Sequence, residues 1–463
     1  MVDTKSKSNH NKKSFLNKPV EHIDIKSFDA RKIIESMNKM SFVSRETANA
    51  ANIYNEMLKD KDCAIFLTLA GSTSAAGCMQ IYSDLVKHNM IDAIVATGAS
   101  IIDMDFFEAL GFKHYQGSQF QDDAQLRDNY IDRIYDTYID EEELQKCDKI
   151  ICEIANRLEP KSYTSREFIK EIGKYLKENS KKKNSLIEVA YDNNVPIFCP
   201  AFTDSSAGFG LVMHQEQNPK SHITIDSVRE FRELTEIKIK SKNSGLFMIG
   251  GGVPKNFIQD TVICAELLGK NVAMHKYAIQ ITVADSRDGA CSSSTLKEAS
   301  SWGKVNTTKE QMVFAEATSV LPLIASDAYH KASWKNRDRN LDSTNTKNRV
   351  LYNNEGNNSF ISVTTSGSTA TYMGLNEEGF GIANSLVIED NEFEEELRCD
   401  EHKLIEYALE NFSLVTEFEN FIDDVDALSS LNCGAGDYII SNFAVIDKTG
   451  AGKIFEIDTN RNY

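Results

Sequence analysis

Residues 63–70, CAIFLTLA, form an unbroken apolar run with the length of one buried β-strand. The turn after it, residues 71–74 (GSTS), contains a glycine and small hydroxyl side chains, and a helical pattern follows. The same order then repeats, with a strand at residues 93–96 (AIVA), a small-residue turn at residues 97–100 (TGAS) and a helix starting near Asp105. Two successive strand–turn–helix units predict a parallel sheet with right-handed crossover connections.

The chain up to about residue 340 continues this pattern. Further strands are predicted at residues 196–199, 245–249 and 275–283, while residues 128–183 are predicted to be mostly helical. We therefore expect an α/β fold with a doubly wound, mainly parallel, Rossmann-like sheet. Ligands of such sheets bind at the carboxyl ends of the strands, so the small-residue turns are the first candidates for a binding site.

Three consecutive glycines, Gly250, Gly251 and Gly252, follow the predicted strand at residues 245–249 and precede a predicted helix at residues 256–268. Glycine lets a ligand approach the backbone closely, and a helix N-terminus offers unpaired N–H groups to an anion. The triplet differs from the G-x-G-x-x-G pattern of dinucleotide sites. By itself it fits a phosphate site and a tight turn between strand and helix equally well.

Residues 288–305, DGACSSSTLKEASSWGKV, have the features of a reactive site. The small residues predict a loop, and Thr295 followed three residues later by Glu298 predicts a capped helix N-terminus. Lys304 follows two residues after Trp302. A lysine in a dry pocket loses its proton more easily and can then attack an imine or a carbonyl. The same residues also fit a helix end with a favourable cation beside it.

The composition limits the possible classes of protein. The chain has 463 residues, of which 41% are hydrophobic, so we expect a large core and two domains. No apolar run is long enough to cross a bilayer, and residues 1–18 contain lysines without a hydrophobic stretch behind them. We expect a cytoplasmic protein with a flexible basic leader, without a membrane partner. Cysteines and histidines are dispersed, which predicts reduced thiols and no metal site.

The net charge of −18 is unevenly distributed. Residues 341–463 hold 23 acidic and 7 basic residues and carry −16, whereas residues 1–340 carry −2. The acidic balance argues against a nucleic-acid partner. Its concentration near the C-terminus means that it gives no information about a polycationic substrate.

Several motifs resemble one family. Residues 298–304, EASSWGK, match the Glu-Ala-x-Ser-Trp-Gly-Lys motif that carries the reactive lysine of deoxyhypusine synthases. Further landmarks occur in the family's order: KHNMID (87–92), FCPAFTD (198–204), GGGVPK (250–255), FAEAT (314–318) and LPL (321–323). Residues 19–337 therefore resemble this family, and most of all its mainly prokaryotic deoxyhypusine synthase-like branch.

The resemblance implies that residues 19–337 form an NAD-binding domain. The residues that would contact NAD are Gly71, Ser72, Thr73, Ser74, Ala75, Thr97, Gly98, Asp204, Gly250, Gly251, Gly252, Glu316 and Ala317. Glu316 replaces an aspartate of the family and can still accept hydrogen bonds from a ribose hydroxyl.

The resemblance also implies the reaction. Lys304 would be the catalytic residue, and Asp103, Asp288, Glu298 and Trp302 would bind the substrate. An aminobutyl group would pass from spermidine, or a related polyamine, through an imine on the lysine to an acceptor amine. The acceptor would be a protein lysine or a small diamine, and the diamine would give homospermidine. The family further implies a homotetramer with active sites between subunits.

Four positions depart from the family's substrate pocket. Met104 replaces a glutamate, Phe209 an acidic residue, Asn256 a histidine and Cys291 an aspartate. Because each buried ammonium normally requires a carboxylate or an aromatic partner, these changes affect which amine is bound. We expect the chemistry to be kept more completely than the substrate. A non-catalytic binder of NAD or polyamine is the alternative.

Residues 338–463 have a different pattern, with an Asn- and Ser-rich linker before strands and acidic helices. Strands are predicted at residues 360–364, 371–375, 380–387, 438–446 and 453–457, and helices at residues 394–411 and 416–428. The segments WKNRD (334–338), GLNEEGFGIAN (374–384) and NFAVIDKTG (442–450) resemble the cysteine type of N-terminal-nucleophile amidohydrolases and acyltransferases. Neither Cys399 nor Cys433 stands where their nucleophile would. We therefore expect a partial α+β (αββα-like) domain, fused to the first and inactive as an amide hydrolase.

Overall fold

The structure is a computed structural model that describes residues 12–287, 294–331, 348–353, 358–365, 371–385, 401–423 and 441–457. Two predicted positions of the reactive loop, Asp288 and Cys291, lie outside these residues. The chain divides into two compact units, Met1–Leu341 and Asp342–Tyr463.

The described strands of the first unit are β1 (Cys63–Leu69), β2 (Ala93–Ala96), β3 (His114–Gln116), β4 (Ile131–Ile134), β5 (Thr137–Asp140), β6 (Ser162–Tyr163), β7 (Ile197–Phe198), β8 (Thr224–Ile225), β9 (Asn243–Ile249), β10 (Tyr277–Thr282) and β11 (Glu310–Phe314). Six of these described strands form a parallel sheet in the order β11-β10-β9-β1-β2-β7. This arrangement confirms the predicted α/β fold with a mainly parallel sheet.

The helices of the first unit connect these strands and cover the sheet. They are α1 (Arg31–Met37), α2 (Phe42–Lys59), α3 (Met79–Lys87), α4 (Phe107–Ala109), α5 (Asp123–Asp128), α6 (Glu141–Asn156), α7 (Ser165–Asn179), α8 (Leu186–Asp192), α9 (Ser206–Gln217), α10 (Ser227–Lys240), α11 (Gly252–Gln259), α12 (Thr261–Leu267), α13 (Leu296–Ser301) and α14 (Ala317–Lys331). Two π-helical segments, Ser74–Cys78 and Ala99–Phe106, precede α3 and α4.

Both faces of the parallel sheet are buried, which explains why β1 is apolar at nearly every position. Ile65 and Leu67 belong to the larger core, whereas Ala64 and Phe66 belong to a second core on the opposite face. The alternation follows from the two-residue period of a strand. Strand β1 lies between β2 and β9, so the chain leaves it on one side and later returns on the other. Such a switch point opens a crevice at the carboxyl ends of the strands.

The prediction that residues 128–183 are mostly helical is confirmed by α6 and α7, but other features of the first unit were missed. Residues 128–183 also include the antiparallel strands β4 and β5, and β5 pairs with both β4 and β3 in a small separate sheet. The single helix expected at residues 256–268 is two helices, α11 and α12, that meet at Asp260. There the Thr261 hydroxyl donates a hydrogen bond back to the Ile258 carbonyl at 2.6 Å, a type of bond that often bends helices. Strand β11 was not predicted.

The second unit contains an antiparallel sheet with helices packed on one face. Its described strands, in the order in which they pair, are β12 (Asn348–Asn353), β13 (Phe360–Thr365), β14 (Thr371–Asn376), β15 (Gly381–Ser385), β16 (Ser441–Ile446) and β17 (Gly452–Ile457). Its described helices are α15 (Glu401–Asn411) and α16 (Val415–Asp423). Strand β12 was not predicted.

One face of this second sheet packs on the two helices through residues such as Phe380, Phe418 and Phe443. The other face exposes Met373 and Ile454, which belong to one cross-strand row with Ala383 and Ala444. The described part of the unit is therefore a two-layer α/β arrangement whose second sheet face is apolar and open.

Other predictions concerned membranes, metals and disulfides. Among the described residues, no helix has the length and hydropathy needed to span a bilayer. The described residues also contain no group of three or more side chains suited to holding a metal ion. Cys147 and Cys152, the cysteines closest in sequence, are buried free thiols.

Candidate functional site

The loops after neighbouring strands are joined at the carboxyl edge of the sheet. Thr97 donates its N–H to the carbonyl of Leu69 at 3.0 Å, and Ala70 donates to Ile249 at 3.0 Å. The N–H of Gly250 donates to the carbonyl of Ile281, near the end of β10, at 2.8 Å. These bonds extend the parallel ladder by one residue, so the predicted NAD contacts that follow β1, β2 and β9 lie side by side.

Two helical segments begin at this edge without a side-chain cap on their N-termini. They are the π-helical segment after Thr73 and helix α11 after Gly251. The first N–H groups of a helix have no partner within the helix, and the helix dipole makes them favour negative charge. Both segments flank the crevice between β1 and β9, which suits the phosphate groups of a dinucleotide.

Gly250 shows why the loop after β9 needs glycine. Its φ is +73°, and a Cβ built on it would lie 3.0 Å from the Ala70 carbonyl oxygen. The side-chain amide of Gln280, on β10, donates to the Gly250 carbonyl at 2.9 Å and ties the loop to that strand. The loop is therefore held between Gln280 and the end of β1, and its backbone packs against Ala70 too closely for a side chain at position 250.

We expect Gly250→Ala to remove most of the NAD-dependent rise in melting temperature. The methyl group would lie 3.0 Å from the Ala70 carbonyl oxygen, so the loop must shift from its position beside the crevice. A loss of about 1.4 kcal/mol already weakens binding about tenfold. Gly269→Ala is the matched control, because Gly269 also has a φ of +73° but has no atom within 4 Å of the added Cβ. Differential scanning fluorimetry with and without NAD measures both variants. An NAD response in Gly250→Ala equal to that of Gly269→Ala would exclude the loop as a contact.

The remaining predicted NAD residues lie at the same edge. A Cβ on Gly98 would lie 2.6 Å from the Ser205 hydroxyl oxygen, so the turn after β2 packs against the loop that carries Asp204. Glu316 follows β11 and accepts a hydrogen bond from Ser319 at 3.4 Å. It also contributes to the raised pKa of Cys78, about 12, which is mainly an effect of burial. Glu316 therefore lies close to the helical segment after β1.

A group of carboxylates surrounds the predicted substrate residue Asp103. Its Oδ1 accepts the backbone N–H of Ser206 at 2.8 Å, at the start of α9. Burial raises the pKa of Asp103 to about 6, and the nearby carboxylates of Asp148 and Asp204 act in the same direction. Asp148 Oδ1 is buried and has no hydrogen-bond partner within the described part of the chain. Three carboxylates in this arrangement would be stabilised by a cation.

The predicted pocket departures lie in different environments. Met104 is buried in the larger core, so in this chain it does not line a site. Phe209 is 65% exposed on α9, and Asn256 is half-buried on α11. Phe209 and Asn256 can therefore contact a ligand or another chain, whereas Met104 cannot.

The reactive motif is a capped helix that ends in a glycine. Thr295 and Glu298 form the predicted capping box at the start of α13, so the Glu298 carboxylate accepts the Thr295 N–H. At the other end, Lys304 N–H donates to the Ala299 carbonyl at 3.0 Å and Gly303 N–H to Ser300 at 2.9 Å. These two bonds, with Gly303 at a φ of +74°, define a Schellman motif. The helix end expected from this triplet is thus present, and it fixes the backbone of Lys304.

The side chain of Lys304 is paired in this chain. Its Nζ lies 2.5 Å from Asp260 Oδ1 and 5.2 Å from the centre of the Trp302 ring. The lysine side chain is 16% exposed, but Trp302 is 68% exposed. The dry pocket that we expected around Lys304 is therefore not formed by one chain, because the lysine is ion-paired with Asp260 and the Trp302 ring is exposed.

Lys304 lies beside the amino ends of the parallel strands, whereas the crevice lies at their carboxyl ends. His275 precedes β10 and donates its N–H to the Lys304 carbonyl at 2.9 Å. Ile281, near the other end of β10, accepts from Gly250. Six residues of extended chain separate His275 from Ile281, which is about 20 Å. Within one chain, the structure therefore does not bring Lys304 together with the predicted NAD contacts.

A buried polar chain supports the segment that carries Lys304. Lys238 donates to the Ser244 hydroxyl at 2.8 Å, which lies 2.9 Å from His275 Nδ1, and His275 Nε2 lies 3.2 Å from the Ile258 carbonyl. The carbonyl can only accept, so Nε2 carries the proton and Nδ1 accepts from Ser244. Sequence reasoning missed these residues, and Asp260 and Asp148 too, because no motif or spacing marks them.

We expect Lys238→Met to stabilise the protein at pH 7. Lys238 is fully buried, and burial lowers its pKa from 10.5 to about 8. Between about pH 8 and 10.5 the unfolded chain therefore binds more protons than the folded chain, so the free energy of unfolding rises with pH across that window. Below about pH 8 the folded protein carries the full cost of the buried charge. This cost is at most about 3 kcal/mol. The gain from removing Lys238 is smaller, because Ser244 then loses a hydrogen-bond donor.

Urea unfolding at pH 7 and at pH 10 checks this prediction. The variant should gain about 1–3 kcal/mol at pH 7 and little at pH 10. Lys240→Met, at an exposed position of the same helix, is the control and should change neither value. A stabilisation that is equal at both pH values would mean that the ionisation of Lys238 is not its cause.

A separate cleft of about 480 Å³ lies beside α3 and α8, and its lining includes His22, Lys26, Asp84 and Glu108. Its charges pair with one another, as in the contacts of Glu108 with His22 at 2.6 Å and of Lys26 with Asp84. None of the predicted site residues that the structure describes lines it. We therefore place the candidate site at the crevice and at Lys304.

Known proteins match the first unit of the chain. The family model described as deoxyhypusine synthase matches residues 32–328. A deoxyhypusine synthase-like protein of Coxiella burnetii is 70% identical over 327 residues, which cover 70% of this chain and 93% of the relative. The corresponding proteins of Caulobacter vibrioides (68% over 335 residues; 72% of this chain and 91% of the relative) and Chlorobaculum tepidum (61% over 327 residues; 70% and 93%) are also similar. The family match ends before the second unit begins at Asp342.

Proposed function

The chain belongs to the deoxyhypusine synthase family, a family of transferases, and from this we propose that it is an NAD-dependent aminobutyl transferase. Its donor is spermidine or a related polyamine, and the aminobutyl group is carried as an imine on Lys304. The acceptor is an amine, either a protein lysine or a small diamine.

The observation that carries this proposal is Lys304 itself. The EASSWGK motif is complete, and the Schellman motif at its end fixes the lysine backbone. A protein that only binds NAD or polyamine needs no nucleophile at this position. The complete lysine motif therefore favours the transferase over the non-catalytic binder.

The crevice at the carboxyl edge fits NAD. Gly250 lets the loop after β9 pack closely on the end of β1, and the uncapped starts of α11 and of the segment after Thr73 supply N–H donors for the pyrophosphate. Glu316 is available to a ribose hydroxyl. When bound, NAD would take up hydride from the carbon beside the secondary amine and return it to the product. The protein binds and orients both partners.

The acidic group of Asp103, Asp148 and Asp204 supports a polyamine as substrate. Burial raises the pKa of Asp103, and the nearby charges of Asp148 and Asp204 raise it further. An ammonium group bound beside these carboxylates would offset both the burial and the like charges.

We propose that the active site lies between subunits of a homotetramer. One chain holds Lys304 and the glycine loop about 20 Å apart, at opposite edges of its sheet, and leaves Trp302 exposed. A second chain that presents its carboxyl edge to Lys304 would bury Trp302 and exclude water from the lysine. Light scattering that shows a monomer under assay conditions would contradict this arrangement.

We assign the reaction to residues 19–337 and no catalytic role to residues 338–463. Two polar residues in the hydrolase-like segments have structural roles. Asn376 donates to the carbonyls of Leu409 and Phe412 at 2.8 and 2.7 Å, and Asp447 accepts the N–H of Val415 at 2.9 Å at the start of α16. The free thiols of the first unit fit a reducing compartment such as the cytoplasm.

Mass spectrometry of the products tests the proposal. The full-length protein is incubated with spermidine and NAD, with and without a candidate acceptor such as putrescine. The proposal requires release of 1,3-diaminopropane, and homospermidine would identify a diamine as acceptor. Binding of NAD and spermidine without any 1,3-diaminopropane would favour the non-catalytic binder.

A further inference from the structure

The ammonium group of Lys304 occupies a defined cation site. The Asp260 carboxylate lies 2.5 Å from Nζ, and the Trp302 ring lies 5.2 Å away. A carboxylate combined with an aromatic face is a general arrangement for binding alkylammonium groups. The lysine side chain ends in such a group and fills the site in the absence of substrate.

We propose that Asp260 and Trp302 form a binding site for an ammonium group of the amine substrate, and that the substrate displaces Lys304 from it. This inference rests on the proposed function, since it assigns the substrate amine a position beside the reactive lysine. Asp260 is the new element, because Trp302 is already implied by the family motif.

The displacement would activate Lys304. While Lys304 is ion-paired with Asp260, its nitrogen has no lone pair available for attack. A substrate ammonium in the site takes over the carboxylate and places a positive charge beside the lysine. Both changes favour loss of the lysine proton to solvent, as occurs for lysines next to another cation. The neutral amine would therefore appear when substrate is bound.

The position of Asp260 suits this role. Asp260 comes four residues after Asn256, so the two side chains lie on the same face of the last turn of α11. Asn256 cannot carry the negative charge that pairs with an ammonium, whereas Asp260 can. The Asp260 side chain is 44% exposed, so an incoming amine can reach it.

His275 connects the two walls of this site. Its backbone N–H holds the Lys304 carbonyl at 2.9 Å, and its side chain contacts the Ile258 carbonyl two residues before Asp260. The segment carrying Lys304 and the end of the helix carrying Asp260 are thus fixed relative to each other. The site exists before substrate arrives, which lowers the cost of binding.

Steady-state kinetics with spermidine tests the assignment. Asp260→Asn should raise KM for spermidine about 10- to 100-fold, the loss of one charged hydrogen bond, and change kcat less than about threefold at saturation. Asp260→Glu should restore part of the affinity. Glu266→Gln, at an exposed position of the following helix, is the control. An unchanged KM in Asp260→Asn would overturn the assignment.

A second experiment requires neither NAD nor turnover. The full-length protein is acetylated with p-nitrophenyl acetate, which forms an amide on a neutral lysine, releases p-nitrophenolate and leaves one proton to the solvent. Peptide mass spectrometry measures acetyl-Lys304. N,N-dimethylbutylammonium, which can enter the site but forms no imine, should accelerate this acetylation several-fold. In Asp260→Asn, acetylation should be fast without it.

The exposed Lys240 serves as an internal reference for the reagent. If the ammonium probe accelerates Lys304 but spermidine is not converted, the ammonium site stands and the proposed transfer fails. If spermidine is converted but neither KM nor acetylation depends on Asp260, the transfer stands and this inference is wrong.

Discussion

Lys304→Arg is expected to abolish aminobutyl transfer, with a loss of at least about 1000-fold in turnover. Arginine keeps the positive charge near Asp260, but its guanidinium remains protonated and cannot act as the nucleophile. The backbone of residue 304 makes its hydrogen bonds to Ala299 and His275 with any side chain. Fold and NAD binding should therefore be retained.

The assay for this variant is release of 1,3-diaminopropane from spermidine and NAD. Lys297→Arg is the matched control, because Lys297 is exposed on the same helix. It should keep wild-type turnover. An NAD-dependent melting shift confirms that the Lys304→Arg protein is competent to bind. Turnover within tenfold of the wild type would mean that the imine forms on another residue.

Mixed oligomers of two inactive variants are expected to recover activity. One variant, Lys304→Arg, lacks the nucleophile, and the other, Gly250→Ala, is impaired at the glycine loop. If each site combines Lys304 of one subunit with the crevice of another, a mixed pair contains one site with both wild-type elements and one with neither. About half of the wild-type activity per mixed pair should therefore return.

Coexpression with two affinity tags and tandem purification yields the mixed species. Each variant purified alone provides the baseline, at an NAD concentration at which Gly250→Ala shows no turnover. Each subunit of the mixed oligomer carries one of the two substitutions, so complementation could not arise if a single subunit supplied the whole site. Mixed oligomers that remain as inactive as the separate variants would show that one chain supplies the complete site after rearrangement.

The sequence predicts the parallel sheet because β1 and its turn carry strong local information. Seven consecutive buried residues in β1 and the small residues after it specify strand and turn without reference to the rest of the chain. Strands β4 and β5 have only four residues each and include polar side chains, so their period is too short to recognise. Strand β5 pairs with β3 as well as with β4, and the pairing with β3 joins residues that are distant in sequence.

In the candidate site, too, features set by local sequence were predicted and features set by tertiary contacts were not. Glycine positions and the lysine motif are local, and the capping box of Thr295 and Glu298 was predicted correctly. The position of Lys304 at the edge opposite Gly250 depends on helix α13 running back along the sheet, which spacing does not reveal. The contact of Asp260 with Lys304 joins residues 44 positions apart and has no sequence pattern.

The break at Asp260 illustrates why the ion pair was missed. Residues 256–268 have continuous helical periodicity, so one helix was expected. Tertiary packing ends α11 after Gln259 and begins α12 at Thr261. The carboxylate of Asp260 therefore lies at a helix junction, where it can reach Lys304.

The most direct test of the central claim is to locate the covalent intermediate. The full-length wild-type protein is incubated with spermidine and NAD, treated with borohydride to reduce any imine, digested and analysed by tandem mass spectrometry. We predict an aminobutyl group on Lys304, formed only when both NAD and spermidine are present. An adduct on a different lysine, or 1,3-diaminopropane release without any protein adduct, would contradict the assignment of Lys304 as the residue that carries the transferred group.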